Sequence, residues 1–271
     1  MIEGHKPPCY EVLALRYATV ARQPQENFIS PDPHDGPLSM DYFVWVIRGE
    51  GRNIVVDTGF GAQAAQRRGR RLLQPPRQGL EALGIDCDAV ADVVITHLHY
   101  DHAGNLQDFP KATFHLQDAE IAYATGRLMC HGMLRHAYNV EDVVTMVRKV
   151  YAGRVCFHDG AAEIAPGVTL HRVGGHTQGL QVVRVPTGRG AVVLASDAAH
   201  FYANIRNRDP FPIVVNVGDM LEAYETVERL ADSPDHVIPG HDPEVMRLYP
   251  RTDPGAGRVE AVALHRPPLV S

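Results

Sequence analysis

Long apolar runs are missing from this chain. Nothing in its 271 residues approaches the roughly 20 consecutive apolar residues that span a bilayer. The N-terminal stretch MIEGHKPPCYEVLALRY has no apolar segment behind a basic start, so neither a membrane helix nor a secretory leader is expected. Cysteine is scarce. The four present, Cys9, Cys87, Cys130 and Cys156, are scattered without a CxxC pair. That argues against a disulfide framework and against a thiolate metal site, and predicts reduced thiols in the cytoplasm. A basic surplus is also missing: 26 Lys and Arg stand against 32 Asp and Glu, for a net charge of -6, which disfavours a nucleic-acid surface. Arg67, Arg68, Arg70, Arg71 and Arg77 do cluster, and that run reads as a solvated loop or helix face. No GxSxG elbow offers a nucleophilic serine.

What remains is an ordinary globular composition, 45% apolar and 21% charged, in a chain long enough for a large core. Short apolar strands recur. Tyr42–Ile47 and Asn53–Val56 read as a hairpin around Gly49 and Gly51, and further strands are predicted over Asp92–Thr96, Ala112–Leu116, Arg154–Phe157, Val168–Val173, Gln181–Val185, Ala191–Ala195 and His236–Ile238. Helices are predicted from about Asp118, the candidate N-cap, to Thr125 and over Met220–Leu230. Leu128–Tyr151 reads as mostly helical, with Val140, Val143, Val144 and Val147 on one face. No repeat or low-complexity linker divides the chain. Two batches of strands mixed with helices suggest one layered α/β domain over 1–271, with two sheets inside, helices outside and a helical insertion at about 128–151.

Histidine is the residue in excess, at fifteen. Three of them, with an aspartate, fall within six positions in VVITHLHYDHAGN: His97, His99, Asp101 and His102. If the segment stays extended, His97, His99 and Asp101 share a side and His102 turns away. A loop after a strand can then offer two imidazoles to one centre and Asp101 with His102 to a neighbouring one. Each of His176, Asp197 and His241 also follows an apolar strand. Seven N and O donors are too many for one tetrahedral ion and suit two.

The segments NIVVDTG, THLHYDHAGN, GGHTQG, ASDAAH and IPGHDP, in this order between about Tyr42 and His241, resemble the signature motifs of the metallo-β-lactamase superfamily. The resemblance implies an αββα four-layer sandwich. It implies one metal held by His97, His99 and His176, a second by Asp101, His102 and His241, and Asp197 bridging, with Asp57 orienting ligands. Zinc is the default; iron, manganese or cobalt fit the same donors. His102 and Asp197 are unlike the best-known antibiotic-degrading branches, His99 is unlike flavodiiron proteins, and the charge balance is unlike ribonuclease Z. Glyoxalase II-like thioesterases and N-acyl-homoserine lactonases both fit, and the layout is most similar to the lactonases.

That resemblance implies a small lactone or ester substrate and leaves a homodimer open, while composition and charge give no expectation of a membrane or nucleic-acid partner. It also implies a metal-bridging hydroxide as the attacking group and Asp101 as the proton carrier to the leaving alkoxide. Two departures stand out. Gln178 and Leu180 replace the family Pro and His, and His200 stands where quorum-quenching lactonases carry tyrosine. An imidazole there can still donate to the developing oxyanion, so His200 joins Asp101 as a candidate catalytic residue. Two alternatives stay open: a hydrolase of another ester, thioester or cyclic amide, and a non-hydrolytic metal-stabilised binding protein. Phe201, Tyr202 and Phe211 are candidate pocket walls. Trp45 reads as core, His131 and His136 as surface or pocket edge, and His34 and Asp35 as loop residues near the site mouth.

Overall fold

The computed structural model of the chain describes residues 8–32, 34, 36–252 and 259–269; Asp35 and the first seven residues of the N-terminal stretch lie outside these. Its first sheet begins with β1 (Glu11–Val20), β2 (Met40–Gly49) and β3 (Arg52–Val56), an antiparallel meander to whose first strand β4 (Arg71–Leu72) adds. From β3 the sheet continues in parallel through β5 (Asp92–Val94), β6 (Thr113–Gln117) and β7 (Val155–His158). The second sheet holds β8 (Ala161–Ala165), β9 (Val168–Arg172), β10 (Gln181–Thr187), β11 (Gly190–Ser196) and β12 (Val237–Pro239), antiparallel except for the β11–β12 pair. Finally β13 (Ala261–Ala263) returns to the outer edge of β1. The helices are α1 (Ala62–Arg68), α2 (Pro76–Ala82), α3 (Asp118–Ala124), α4 (Gly132–Arg135), α5 (Val140–Tyr151), α6 (Tyr202–Asn207), α7 (Val217–Leu230) and α8 (Val245–Leu248).

Alternation along β2 shows why the sheets stack. Tyr42, Val44 and Val46 pack outward with Leu80 of α2 and Met146 of α5. Phe43, Trp45 and Ile47 pack inward against Val168, Leu170, Val183 and Val192 of the second sheet. On that sheet's far side Val182, Val193 and Ala195 meet Met220, Ala223, Tyr224 and Val227 of α7. Three apolar layers thus separate helix, sheet, sheet and helix, the αββα sandwich. Each aliphatic side chain so buried contributes about 1.5–3 kcal/mol.

Several boundaries differ from those read in the sequence. The strand through Asp92 pairs only to Val94, because the amide of Thr96 is taken by Asp57 Oδ1 at 2.8 Å. Asp118 is the first helical residue of α3; extended Gln117 (φ -77, ψ 139) occupies the cap position. The stretch 128–151 is broken into a 3-10 turn at Arg127–Cys130, short α4, and α5, which starts only after extended Asn139. The inward stripe of α5 is consequently Val143 and Met146, and Val140 is 68% exposed. Strands β1, β4, β8 and β13 went unread. The turn at Gly49–Gly51 does close a hairpin, with Glu50 and Gly51 at φ 50 and 70, the twist-matched type I′ geometry.

Candidate metal centre

The donors sit where strands end. Beyond Val94 the chain turns instead of staying extended: the amides of His102 and Ala103 both reach the His99 carbonyl at 3.0 Å. His102 therefore folds back beside His97, ring centroids 4.1 Å apart, and does not turn away as simple alternation implies. Gly104 closes the turn, where a Cβ would come within 2.6 Å of the Gly59 carbonyl oxygen. The β9–β10 loop supplies His176, and the ends of β11 and β12 supply Asp197 and His241. Asp57 and Ser196, flanking the site, hold positive φ of 62 and 46, strain of the kind that collects at functional positions.

Three overlapping groups result, each with donor atoms within 4.8 Å of one another: His97, His99, His176 and Asp197; Asp101, His102 and His241; and Asp197, His200 and His241. All are buried. Asp197 joins them with one oxygen to each side. Its Oδ2 lies 3.1 Å from His176 Nε2 and 3.6 Å from His97 Nε2, its Oδ1 3.0 Å from His241 Nε2 and 3.2 Å from His102 Nε2. Asp101 is the loosest member, 3.8 Å from His102 Nε2 and 4.0 Å from His241 Nε2.

These residues fit divalent cations. The opposite ring nitrogens are anchored: His176 Nδ1 donates to the Ile213 carbonyl at 2.6 Å, His241 Nδ1 to that of Asp41 at 2.8 Å, and His102 Nδ1 to Asp57 Oδ2 at 2.7 Å. That is the outer-sphere orientation that frees Nε2 for a metal. Among the described residues the Nε2 atoms of His97 and His102 are buried without a hydrogen-bond partner, and His176 Nε2 faces His99 Nδ1 across 2.9 Å. Burial, then the neighbouring imidazoles, hold His97 and His99 well below the ordinary histidine range, so both are neutral donors. Burial opposes charge on His102 and Asp197 too. Facing carboxylates outweigh it at His102, which is held well above its usual value, and facing imidazoles outweigh it at Asp197, which stays ionised. The pocket is built around positive charge among carboxylates and neutral nitrogens. A separate set at the β6–β7 edge, His115, Cys156 and His158, also converges, but His115 already bonds Asp92 at 3.0 Å and His158 at 3.1 Å.

Residues 41–241 match the family described as Metallo-beta-lactamase superfamily. The chain belongs to this superfamily. The match runs from Asp41, whose carbonyl anchors His241, to His241 itself. Among curated relatives, the chain is 27% identical over 223 residues to the probable metallo-hydrolase Rv2300c of Mycobacterium tuberculosis, covering 71% of this chain and 68% of that one. It is 29% identical over 198 residues to N-acyl homoserine lactonase AiiB of Agrobacterium fabrum, covering 67% and 70%. Among solved structures, a quorum-quenching N-acyl homoserine lactone lactonase superposes with a TM-score of 0.72 at 21% identity, over 88% of this chain and 94% of that one. The hydrolase AbOPH superposes with a TM-score of 0.71 at 17% identity, over 96% and 95%. At such identities the structures share the superfamily fold.

Over the cluster opens a cavity of about 310 Å³ whose walls include Tyr42, His200, Phe211 and Ile213. His200 lies flat on Phe211, centroids 3.7 Å apart at 3°, with Nε2 3.0 Å from Asp197 Oδ2; burial pushes its pKa down to about 3. Of the expected walls only Phe211 lines the cavity. Phe201 belongs to the helix-side apolar layer and Tyr202 to the layer between the sheets, as does Trp45. His136 stands at the cavity rim and His131 on the surface; exposed His34 turns to Asp32. Leu180, in place of the family histidine, is buried under α7. The arginine run is not simply a solvated face. Arg68 and Arg70 line the cavity, because α1 ends at left-handed Gly69 and β4 pairs back onto β1; Arg67 and Arg71 stay exposed.

Glu120 went unread. This buried carboxylate accepts the Leu98 amide at 2.8 Å, the Thr177 hydroxyl at 2.6 Å, the Gly179 amide at 3.2 Å and the Tyr138 hydroxyl at 3.1 Å. It ties the first histidine loop, the His176 loop and the segment before α5 together. Only the fold reveals it, since its partners lie up to 59 positions away.

Proposed function

We propose that this chain is a dinuclear metal-dependent hydrolase that opens the ring of an N-acyl-homoserine lactone or another small lactone. One observation carries the reading: Asp197 presents Oδ2 to the His97, His99 and His176 group and Oδ1 to the His102 and His241 group. A carboxylate so placed suits a bridge between two cations. In this reading His97, His99 and His176 hold the first ion, Asp101, His102 and His241 the second, with zinc the expected metal and iron, manganese or cobalt compatible. Divalent ions so held lower the pKa of coordinated water and polarise a carbonyl.

The protein groups supply the rest. Asp101 lines the cavity, and its main-chain carbonyl is pinned by the Tyr17 hydroxyl at 2.9 Å. Its carboxyl would take the proton released by the attacking water and pass it to the departing alkoxide. His200 donates from Nε2. Asp197 Oδ2 is the partner it reaches now, and charge developing on a substrate oxygen in the same cavity competes for that hydrogen. Asp57, held by the Thr96 amide and hydroxyl at 2.8 Å each, fixes the His102 ring. The AiiB relative and the lactonase neighbour support lactones as the first substrates to try. His200 and Leu180, where this chain departs from the lactonase pattern, keep other esters, thioesters and cyclic amides in view.

The test is a panel of lactones, thioesters and cyclic amides given to metal-loaded protein. Turnover of lactones above the rest is expected. Preference for a thioester or a cyclic amide overturns the lactone assignment, and no turnover on any, with metal fully bound, returns the chain to a binding protein.

A further inference from the structure

Three arginines meet over the histidine cluster without an acidic partner. Arg22, Arg68 and Arg70 all line the cavity, and among the described residues the ion pairs of arginine involve Arg16, Arg48, Arg77, Arg206, Arg208 and Arg247 instead. Arg68 is engaged by the chain: Nη2 donates to the carbonyls of His136 and Tyr138, and the guanidinium lies 3.8 Å from the Tyr100 ring centroid. The other two keep donors in hand. Arg22 gives one Nη2 hydrogen to the Glu26 carbonyl, its Nε is buried with no partner among the described residues, and it stands 5.0 Å over the Phe211 ring on which His200 stacks. Arg70 uses Nε on the Tyr100 hydroxyl at 3.2 Å and Nη1 on the Arg68 carbonyl at 2.9 Å. Among the described residues three acids share the cavity with them, Glu26, Asp101 and Asp197, and none forms an ion pair with Arg22, Arg68 or Arg70. Glu26 has an oxygen taken by the Gln23 amide at 2.7 Å, and the charge of Asp101 acts on Arg70 from the histidine cluster.

A desolvated guanidinium with unmade hydrogen bonds is costly. Burial and the nearby charge of Arg70 push the Arg22 pKa down. An alkyl chain entering the cavity would leave those donors unpaired, whereas a carboxylate or phosphate would accept from both forks. We propose that the substrate carries such an oxyanion, bound by Arg22 and Arg70, while its scissile carbonyl lies over the cluster of His97, His99 and Asp197. This rests on the hydrolase reading for the second half of the statement only.

Three N-acyl-homoserine lactones of matched shape test it: an N-succinyl lactone, the same compound with a carboxamide in place of the carboxylate, and one with a phosphonate there. The anionic members should exceed the amide in kcat/KM by about 10- to 100-fold, the better of the two identifying the oxyanion. The double variant Arg22→Gln with Arg70→Gln should lower kcat/KM for the anions far more than for the amide, and Arg22→Lys should fall between. An amide turned over as well as the anions, or a preference that survives the double variant, overturns the proposal. Calorimetric titration with glutarate reads the same subsite without turnover. If no lactone reacts, the lactone assignment fails, yet glutarate binding weakened about tenfold or more in the double variant, at equal metal content and Tm, still supports the anion subsite. Binding equal to the unmodified protein overturns it. Should the double variant not fold, Arg22→Lys alone carries both measurements.

Discussion

At the scale of single residues, Asp197 and His200 share one small space, with Nε2 of His200 3.0 Å from Asp197 Oδ2. Asp197 is ionised because four imidazoles surround it; of these His176 and His200 border the cavity, and His200 stacks its face on Phe211. If His200 donates to charge that exists only in the transition state, its loss should appear in kcat and leave KM nearly unmoved. Removing one such donor costs roughly 10²–10³ in kcat; under the proposed metal-dependent mechanism cations held by the cluster would share the task, so the lower end is expected. Accordingly His200→Ala should keep its metal, lose about 10²-fold or less in kcat, and recover part of the rate as His200→Tyr. Steady-state kinetics alongside metal analysis check this, and an unchanged kcat in His200→Ala removes the residue from the chemistry.

At the scale of elements, the segment before and along α5 shows what pattern reading captures and what it loses. Apolar periodicity was enough to place a helix, yet its start and its face depend on Asn139 leaving the helix and on the layer it packs against. Asp142 in its first turn is half-buried, and burial pushes its pKa up to about 6, above the usual carboxylate value near 3.8. The folded chain then holds this proton more tightly than the unfolded one. Its stabilising contribution is complete below about pH 4 and declines as pH rises to about 6, leaving a fixed penalty above. Asp142→Asn removes that penalty. With partial exposure discounted, it should raise unfolding free energy by ~1 kcal/mol at pH 7.5 and by nearly nothing at pH 4. Urea midpoints measured across that range decide it, and a gain that does not shrink toward acid contradicts the assignment.

At the scale of the whole molecule, the donors arrive from both sheets: His97, His99, Asp101 and His102 after β5 of the first, His176, Asp197 and His241 from strand ends of the second. Cations bound across that seam would tie the halves of the sandwich together, and any ligand held only by the folded state stabilises it, by about 4 kcal/mol at a thousand times Kd. Protein purified without chelator should therefore contain close to two equivalents of transition metal per chain, and chelation should lower Tm. Because Asp197 faces both groups, Asp197→Ala should deplete metal and activity together and more deeply than His241→Ala. Elemental analysis with thermal unfolding measures both, and an active protein saturated by one equivalent defeats the dinuclear reading.

The sequence by itself determined the donor chemistry and the chain order of the site: HxHxDH after a strand, then His176, Asp197 and His241 at later strand ends, because ligand-type residues beside apolar runs are visible in one dimension. It also pointed to the layering, through short apolar strands in two batches mixed with helices. Only the tertiary structure decided which nitrogen of each ring faces inward, since the anchors at Ile213, Asp41 and Asp57 are remote in sequence. The same holds for Glu120, whose four hydrogen bonds come from three separate segments, and for the arginines. In the sequence Arg67, Arg68, Arg70 and Arg71 are equivalent charges. A left-handed glycine and a two-residue strand turn Arg68 and Arg70 onto the site and leave their neighbours in water, because side-chain direction is a property of the folded backbone and not of the order of residues.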